Sequence, residues 1–222
     1  MTTIAISSGH SKIVRGANKY IDEVAEARKV VDQVAIYLKQ LGVAVHKFHD
    51  DTSQTQTKNL TTIIAFHNAK QRDYDYSIHF NASSVTDEPR GVEVLHYNAS
   101  SKANAAKLSK AIADASGLKN RGAKERTNLA FLKNTNKPAN LIEICFVDSK
   151  ADVDLYKKNF DAICRSIAET IANKKLSASS TISVEDKVYR LFTGTFKTLE
   201  SAEKAAKKIT DATGLQIRIR EE

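Results

Sequence analysis

The sequence predicts an α/β fold: a mostly parallel central sheet flanked by helices on both faces, followed by a small C-terminal β-α-β module. Three observations carry this. Short β-branched runs alternate with stretches whose apolar residues recur every three or four positions, the periods of strand and helix. Such alternation marks strands joined by crossover helices. The most apolar strand candidate, Leu141-Ile-Glu-Ile-Cys-Phe-Val147, follows Pro138 and reads as a central strand covered on both faces. Finally, 222 residues at 41% hydrophobic and 27% charged make one good-sized globular domain with a small module.

Taken in order, Thr3-Ile-Ala-Ile6 is the first strand, closed by Ser7-Ser8-Gly9 and leading to His10. Ile21, Val24, Ala27, Val30, Val31, Val34, Leu38 and Leu41 give the first helix, and Gly42 stands where a helix commonly stops. A strand over 43–48 and a polar loop over 50–57 precede a helix over about 58–69, with Leu60, Ile63, Ile64 and His67 on one side. Strands follow at 76–80, breaking at Asn81, and at 91–97. Ala105, Leu108, Ile112 and Ala115 mark a third helix, closed by Gly117. Residues 118–128 are polar and basic and receive no element, while 129–132 reads as a short strand. After the 141–147 strand, Val153, Tyr156, Phe160, Ile163, Ile167 and Ile171 predict one long final helix.

Small polar residues from about 174 break the pattern and read as a linker to 186. The first domain is therefore expected over 1–173 and the module over 187–222, as a strand (188–192), a helix (about 199–212) and a strand (215–219). A unit of about 35 residues rarely holds a core alone. It is expected to pair with a copy of itself, as a homodimer, or to dock on a partner.

Composition excludes several classes. No apolar run approaches the roughly 20 residues of a membrane span. The amino terminus lacks a basic region followed by a long apolar stretch, so no secretory signal is read and synthesis in the cytoplasm is expected. Cys145 and Cys164 lie in apolar surroundings and read as buried free thiols of a reducing compartment. The net charge of +8 suits some polyanion. Without a basic stripe interleaved with aromatics, nucleic acid is not the expected one.

Four stretches carry groups suited to chemistry. His10 and His79 both fall at carboxyl ends of strands, where open α/β sheets place ligands. Glu23 and Glu26 lie one turn apart at the start of the first helix. Glu143 is a carboxylate inside an apolar strand, where burial is costly unless the group is paired or protonated. Glu93 is a weaker candidate, because its strand reads as an edge with a solvated carboxylate. Each has a plain structural alternative: helix-dipole compensation for the two helix glutamates, a satisfied core histidine for His79, a partner for a buried cation for Glu143. Together they make the inventory of a catalytic zinc site, three N/O ligands and a spare carboxylate.

Ile6-Ser-Ser-Gly-His10-Ser, Ser77-Ile-His79-Phe-Asn81-Ala and Leu141-Ile-Glu143-Ile-Cys-Phe-Val-Asp-Ser resemble three signature blocks of the type-3 zinc N-acetylmuramoyl-L-alanine amidases, in the family's order. The resemblance spans about residues 1–173 and points to a phage endolysin or bacterial autolysin. It implies zinc (Zn2+) on His10, a helix-one glutamate and His79, with Glu143 as the catalytic carboxylate. Of the two helix glutamates, Glu23 fits the family's distance to the following glycine, Gly42, better than Glu26. Glu93 resembles a second active-site acid of some members. Asn81 and Arg121, within family-like sequence, are assigned to substrate. The implied substrate is peptidoglycan, reached after release from the cell where the protein is made. Another zinc wall hydrolase, such as a carboxypeptidase with Arg121 or Arg126 taking a carboxylate, and a non-catalytic wall-binding protein are the alternatives. One departure stands out: members commonly read Gly-His-Gly-Gly, whereas here Ser11 and Lys12 follow His10. The tail, with Tyr189, Phe192, Gly194 and Phe196, resembles half of a SPOR-type glycan-binding module.

Overall fold

The computed structural model describes residues 2–177 and 198–213. The chain divides into two compact units, Met1–Ser179 and Ser180–Glu222. The first holds β1 (Thr3–Ser8), α1 (Glu23–Gln40), β2 (Ala44–Phe48), α2 (Gln56–Asn68), β3 (Tyr74–Asn81) and β4 (Val92–His96). It continues with α3 (Ala99–Ser116), β5 (Asn120–Glu125), α4 (Ala130–Asn134), β6 (Ala139–Phe146), α5 (Lys150–Lys158) and α6 (Phe160–Ala172). The strand order is β2-β1-β3-β6-β4-β5. Every neighbouring pair is parallel except β4 with β6. This is the mixed, mostly parallel sheet that the alternating pattern predicts.

Period-two side chains split the sheet between two apolar clusters. Ile4, Ile6, Tyr76, Ile78, Val92, Val94, Ile142 and Ile144 face the main core, built with α1, α3, α5 and α6. Leu95, Ala139 and Leu141 face the smaller cluster, with Ile63 of α2 and Phe131 and Leu132 of α4. Each fully buried aliphatic side chain stabilises the fold by roughly 1.5–3 kcal/mol. Cys145 and Cys164 are buried free thiols in the main core, as their surroundings predict.

A buried polar network lies on the face opposite the main core. Arg72 donates through Nε and Nη2 to the two oxygens of Asp75, both at 2.7 Å. His67 Nδ1 is 2.7 Å from Asp75 Oδ1, and its Nε2 is 3.0 Å from Ser7 Oγ. Ser7, His67 and Asp75 are all solvent-free, so the charges are tolerated only because every member is partnered. Asp152, also solvent-free, accepts from the backbone N–H groups of Arg90, Gly91 and Phe146, tying the entry of β4 to the end of β6.

The elements differ from expectation at four places. Residues 120–125 form an edge strand, β5; its sequence Asn-Arg-Gly-Ala-Lys-Glu has no apolar alternation to announce it, and charged residues suit an exposed edge. Residues 129–132 belong not to a strand but to the start of helix α4, with Leu129 as its extended N-cap; a run this short does not distinguish the two periods. The long final helix is two, broken at Asn159, whose side-chain amide donates to the carbonyls of Ser116 and Leu155. The apolar period passes through the break, so the sequence hides it. The strand of Glu93 is no edge: β4 lies between β6 and β5.

Residues 174–177 fold back on the first unit, with Leu176 in the main core and its N–H on Glu169 Oε1 at 3.1 Å. In the second unit the expected helix is α7 (Leu199–Thr213). The strands expected at 188–192 and 215–219, and most of the linker, lie outside the described residues. Among the described residues no helix is long and apolar enough to cross a membrane.

Candidate active site

The ends of β1 and β3 and the first residue of α1 meet at one point. Glu23 opens α1, whose N-cap is Asp22, accepting from the N–H of Ala25. The helix start thus delivers the Glu23 carboxylate, only 3% exposed, against the sheet edge. Its Oε1 lies 3.3 Å from His10 Nε2 and 3.1 Å from His79 Nδ1. The two imidazoles meet edge to face with centroids 5.2 Å apart. Glu23 Oε1 also accepts from the N–H of Phe80 at 3.1 Å, and Oε2 from that of Ala17 at 2.7 Å. Burial alone would raise the Glu23 pKa, but the hydrogen bonds and charges of the two histidines outweigh it and hold the carboxyl well below the usual range. Glu26 is elsewhere, bonded to Lys29 and to the Tyr156 hydroxyl.

The donor set suits a divalent transition metal. One ligand atom from each of His10, Glu23 and His79 lies within 4.8 Å of the other two. Two imidazoles and a carboxylate form a ligand set zinc takes in catalytic sites. The remaining nitrogen of His79, Nε2, is 3.1 Å from Ser77 Oγ, an outer contact of the kind that fixes a ligand's ring. Space around the group is reserved by glycine. A Cβ on Gly9 would stand 1.8 Å from the His79 ring, and one on Gly16 would stand 2.1 Å from Glu23 Oε2.

Glu143 stands beside this group by strand register. His79 of β3 is the register partner of Glu143 on β6, and Glu143 is that of Glu93 on β4. The three form a row across adjacent strands, on the face opposite Ile142 and Ile144. Glu143 Oε2 is shielded from solvent and has no hydrogen-bond partner. Burial, then the charges of Glu23 and Glu93, push the Glu143 carboxyl up to about 8. A bulge in the β3–β6 register between His79 and Asn81, and another in β4–β5 opposite Glu93, fall beside the row. Bulges commonly re-aim side chains next to sites.

Glu93 is only 5% exposed, and both its oxygens are taken. Asn81 Nδ2 donates to one at 3.0 Å and Arg121 Nε to the other at 2.7 Å. The expected solvated acid is therefore buried and clamped, and the two residues assigned to substrate spend these donors on it. Asn81, Glu93, Arg121 and Glu143 line a polar cleft of about 380 Å³ together with Arg90, Arg126 and Phe146. His10 and His79 border a second, apolar cavity of about 310 Å³, walled by Leu60, Ile63, Phe131 and Leu141.

The departure at Ser11 also finds its reason. Ser11 is solvent-free; its hydroxyl donates to the Ser53 carbonyl at 2.7 Å and accepts from the N–H groups of Ile13 and Val14. It pins the loop after His10 to the turn after β2. Sequence reasoning passed over Gly9, Gly16, Ser77 and Arg90. Of these only Ser77 left a signal, two places before His79 and so on the same face of a strand.

Comparison with known proteins follows the same geometry. The sheet and its helices match the amidase catalytic-domain fold: the catalytic domain of the CD27L endolysin targeting Clostridia Difficile superposes with a TM-score of 0.72 at 26% identity, over 79% of this chain and 99% of that one. The catalytic domain of CwlV, an amidase from Bacillus (Paenibacillus) polymyxa var. colistinus, shares the fold with a TM-score of 0.65 at 24% identity, over 78% of this chain and 97% of that one. Residues 4–173 match the family model described as N-acetylmuramoyl-L-alanine amidase, and the chain belongs to that family. An uncharacterized protein of Clostridium perfringens (strain 13 / Type A) is 33% identical over 179 residues, 78% of this chain and 52% of its own. The endolysin of Bacillus phage SPP1 is 33% identical over 134 residues, 54% of this chain and 48% of its own. The chain spans about half the length of the curated relatives it matches.

Proposed function

We propose that this protein hydrolyses the amide bond between N-acetylmuramic acid and the L-alanine of the stem peptide, and so lyses cell wall. The supporting observation is the convergence of His10, Glu23 and His79 on one point beside a buried, unpartnered Glu143 oxygen. Those three residues would hold zinc, which supplies Lewis acidity toward the scissile carbonyl and the attacking water. Glu143 takes the proton of the attacking water and returns it to the leaving nitrogen. In metal-free protein burial lifts this carboxyl to about 8; a cation held by the three ligands would offset that lift and leave Glu143 ionised to accept the proton. Glu93 contributes its charge, which helps lift Glu143, and keeps Asn81 and Arg121 in place at the cleft. Ser77 orients His79 through Nε2.

The tail supports a further reading. Residues 187–222 bind glycan strands as half of a SPOR-type module, completed by a second chain, while the net charge of +8 favours an anionic wall.

The test is incubation of zinc-loaded protein with purified peptidoglycan, followed by labelling of new amino termini. New termini on L-alanine are expected, and Glu143→Ala should abolish them. Release of carboxyl-terminal residues would make it a carboxypeptidase instead, and binding without release or zinc a wall-binding protein.

A further inference from the structure

We infer that Arg90 and Arg126 form a carboxylate-binding subsite in the cleft beside Glu143, which takes a free carboxylate on the stem peptide. The inference rests on the amidase reading for the identity of the ligand, and on the cleft for its chemistry.

The cleft is lined by three arginines and two glutamates. Arg121 is neutralised by Glu93 at 2.7 Å. Arg90 and Arg126 form no ion pair among the described residues. Arg90 is nonetheless held in place. Its Nη2 donates to the carbonyl and hydroxyl of Ser84 at 2.9 and 2.8 Å, and its guanidinium lies over the Phe146 ring, 5.4 Å from the centroid. Its backbone N–H is fixed on Asp152. Its Nε is shut off from solvent with no hydrogen-bond partner. Arg126 is exposed, and its Nη1 reaches only the carbonyl of Glu125 at 3.1 Å. Two cations without acids, on the walls of one cleft and one of them immobilised, suit a planar carboxylate.

Orientation selects which half of the substrate this is. Glu143 lines the same cleft and returns a proton to the leaving nitrogen, so the peptide departs on the side of the arginines. The second cavity, bordered by His10 and His79, is mainly apolar and walled without lysine or arginine, so it offers a carboxylate no cationic side chain of that kind. The subsite therefore reads the residues after L-alanine, and it favours stem peptides whose second residue keeps a free carboxylate over those in which it is amidated.

The test uses the full chain and two synthetic stem dipeptides, one with a free carboxylate on the second residue and one with that group as a primary amide. Titration calorimetry should give a Kd about tenfold to a hundredfold lower for the acid, the range of a charge-assisted contact. Arg126→Gln, at an exposed position, should reduce the preference severalfold, and Arg90→Gln with Arg126→Gln should abolish it. The matching muramoyl dipeptides should show the same preference in kcat/KM. Equal Kd values for acid and amide overturn the subsite and leave hydrolysis untouched. A clear preference in Kd with no cleavage of either muramoyl dipeptide keeps the subsite and overturns the amidase reading.

Discussion

Replacing Glu143 by glutamine should flatten the pH dependence of stability in metal-free protein. The folded carboxyl sits at about 8, against 4.5 for the unperturbed group. Between those values the folded state holds a proton that the unfolded state has lost. Stability contributed by the neutral form is thus fully present below about 4.5 and is lost as pH rises toward 8. The slope approaches 1.4 kcal/mol per pH unit, so wild type should lose about 2–3 kcal/mol between pH 5 and pH 7 through this one group. Glu143→Gln keeps the shape and cannot titrate. Urea unfolding of EDTA-treated wild type and variant at pH 5, 6 and 7 isolates the difference, because other titrating groups are common to both. A wild-type curve parallel to that of the variant would refute the raised Glu143 carboxyl of the metal-free protein.

Other perturbations have equally definite outcomes. Gly9→Ala drives a Cβ into the His79 ring; zinc content by elemental analysis should fall at least tenfold while the circular dichroism spectrum is retained. Asp75→Ala leaves Arg72 and His67 without their shared carboxylate in a buried site, and should cost about 3–5 kcal/mol in urea unfolding. Ile142→Ala, in the main core directly behind Glu143, should cost about 2–5 kcal/mol by the same assay. Deleting residues 178–222 should leave kcat/KM on a soluble muramoyl peptide unchanged and weaken sedimentation with intact wall.

The parts of the fold readable in the sequence are those whose residues face only one way. Ile78, Ile142 and Ile144 are apolar because both periodicity and burial demand it, and α1 announces itself through Val24, Val31 and Leu38. β5 could not be read because an edge strand pairs through its backbone and leaves Arg121 and Lys124 free to be polar. His10, His79 and Glu143 were visible as polar groups at strand ends or inside an apolar run. Their company was not, since the row His79–Glu143–Glu93 exists only through pairing register, and pairing joins residues far apart in the chain. The clamp on Glu93 was hidden for the same reason: Arg121 reaches it from the strand the sequence concealed.

The single antiparallel seam, β6 against β4, has a dynamic consequence. Glu143 and Glu93 face each other across it as register partners, and in metal-free protein loss of the Glu143 proton sets like charges directly opposite one another, which weakens a strand pair. This ladder should therefore soften as pH rises toward 8 in metal-free protein. Amide hydrogens of that ladder should exchange faster than those of β1 with β3. They should slow when a cation occupies the histidine cluster or a peptide fills the cleft, so that ligand occupancy can be followed from the backbone alone.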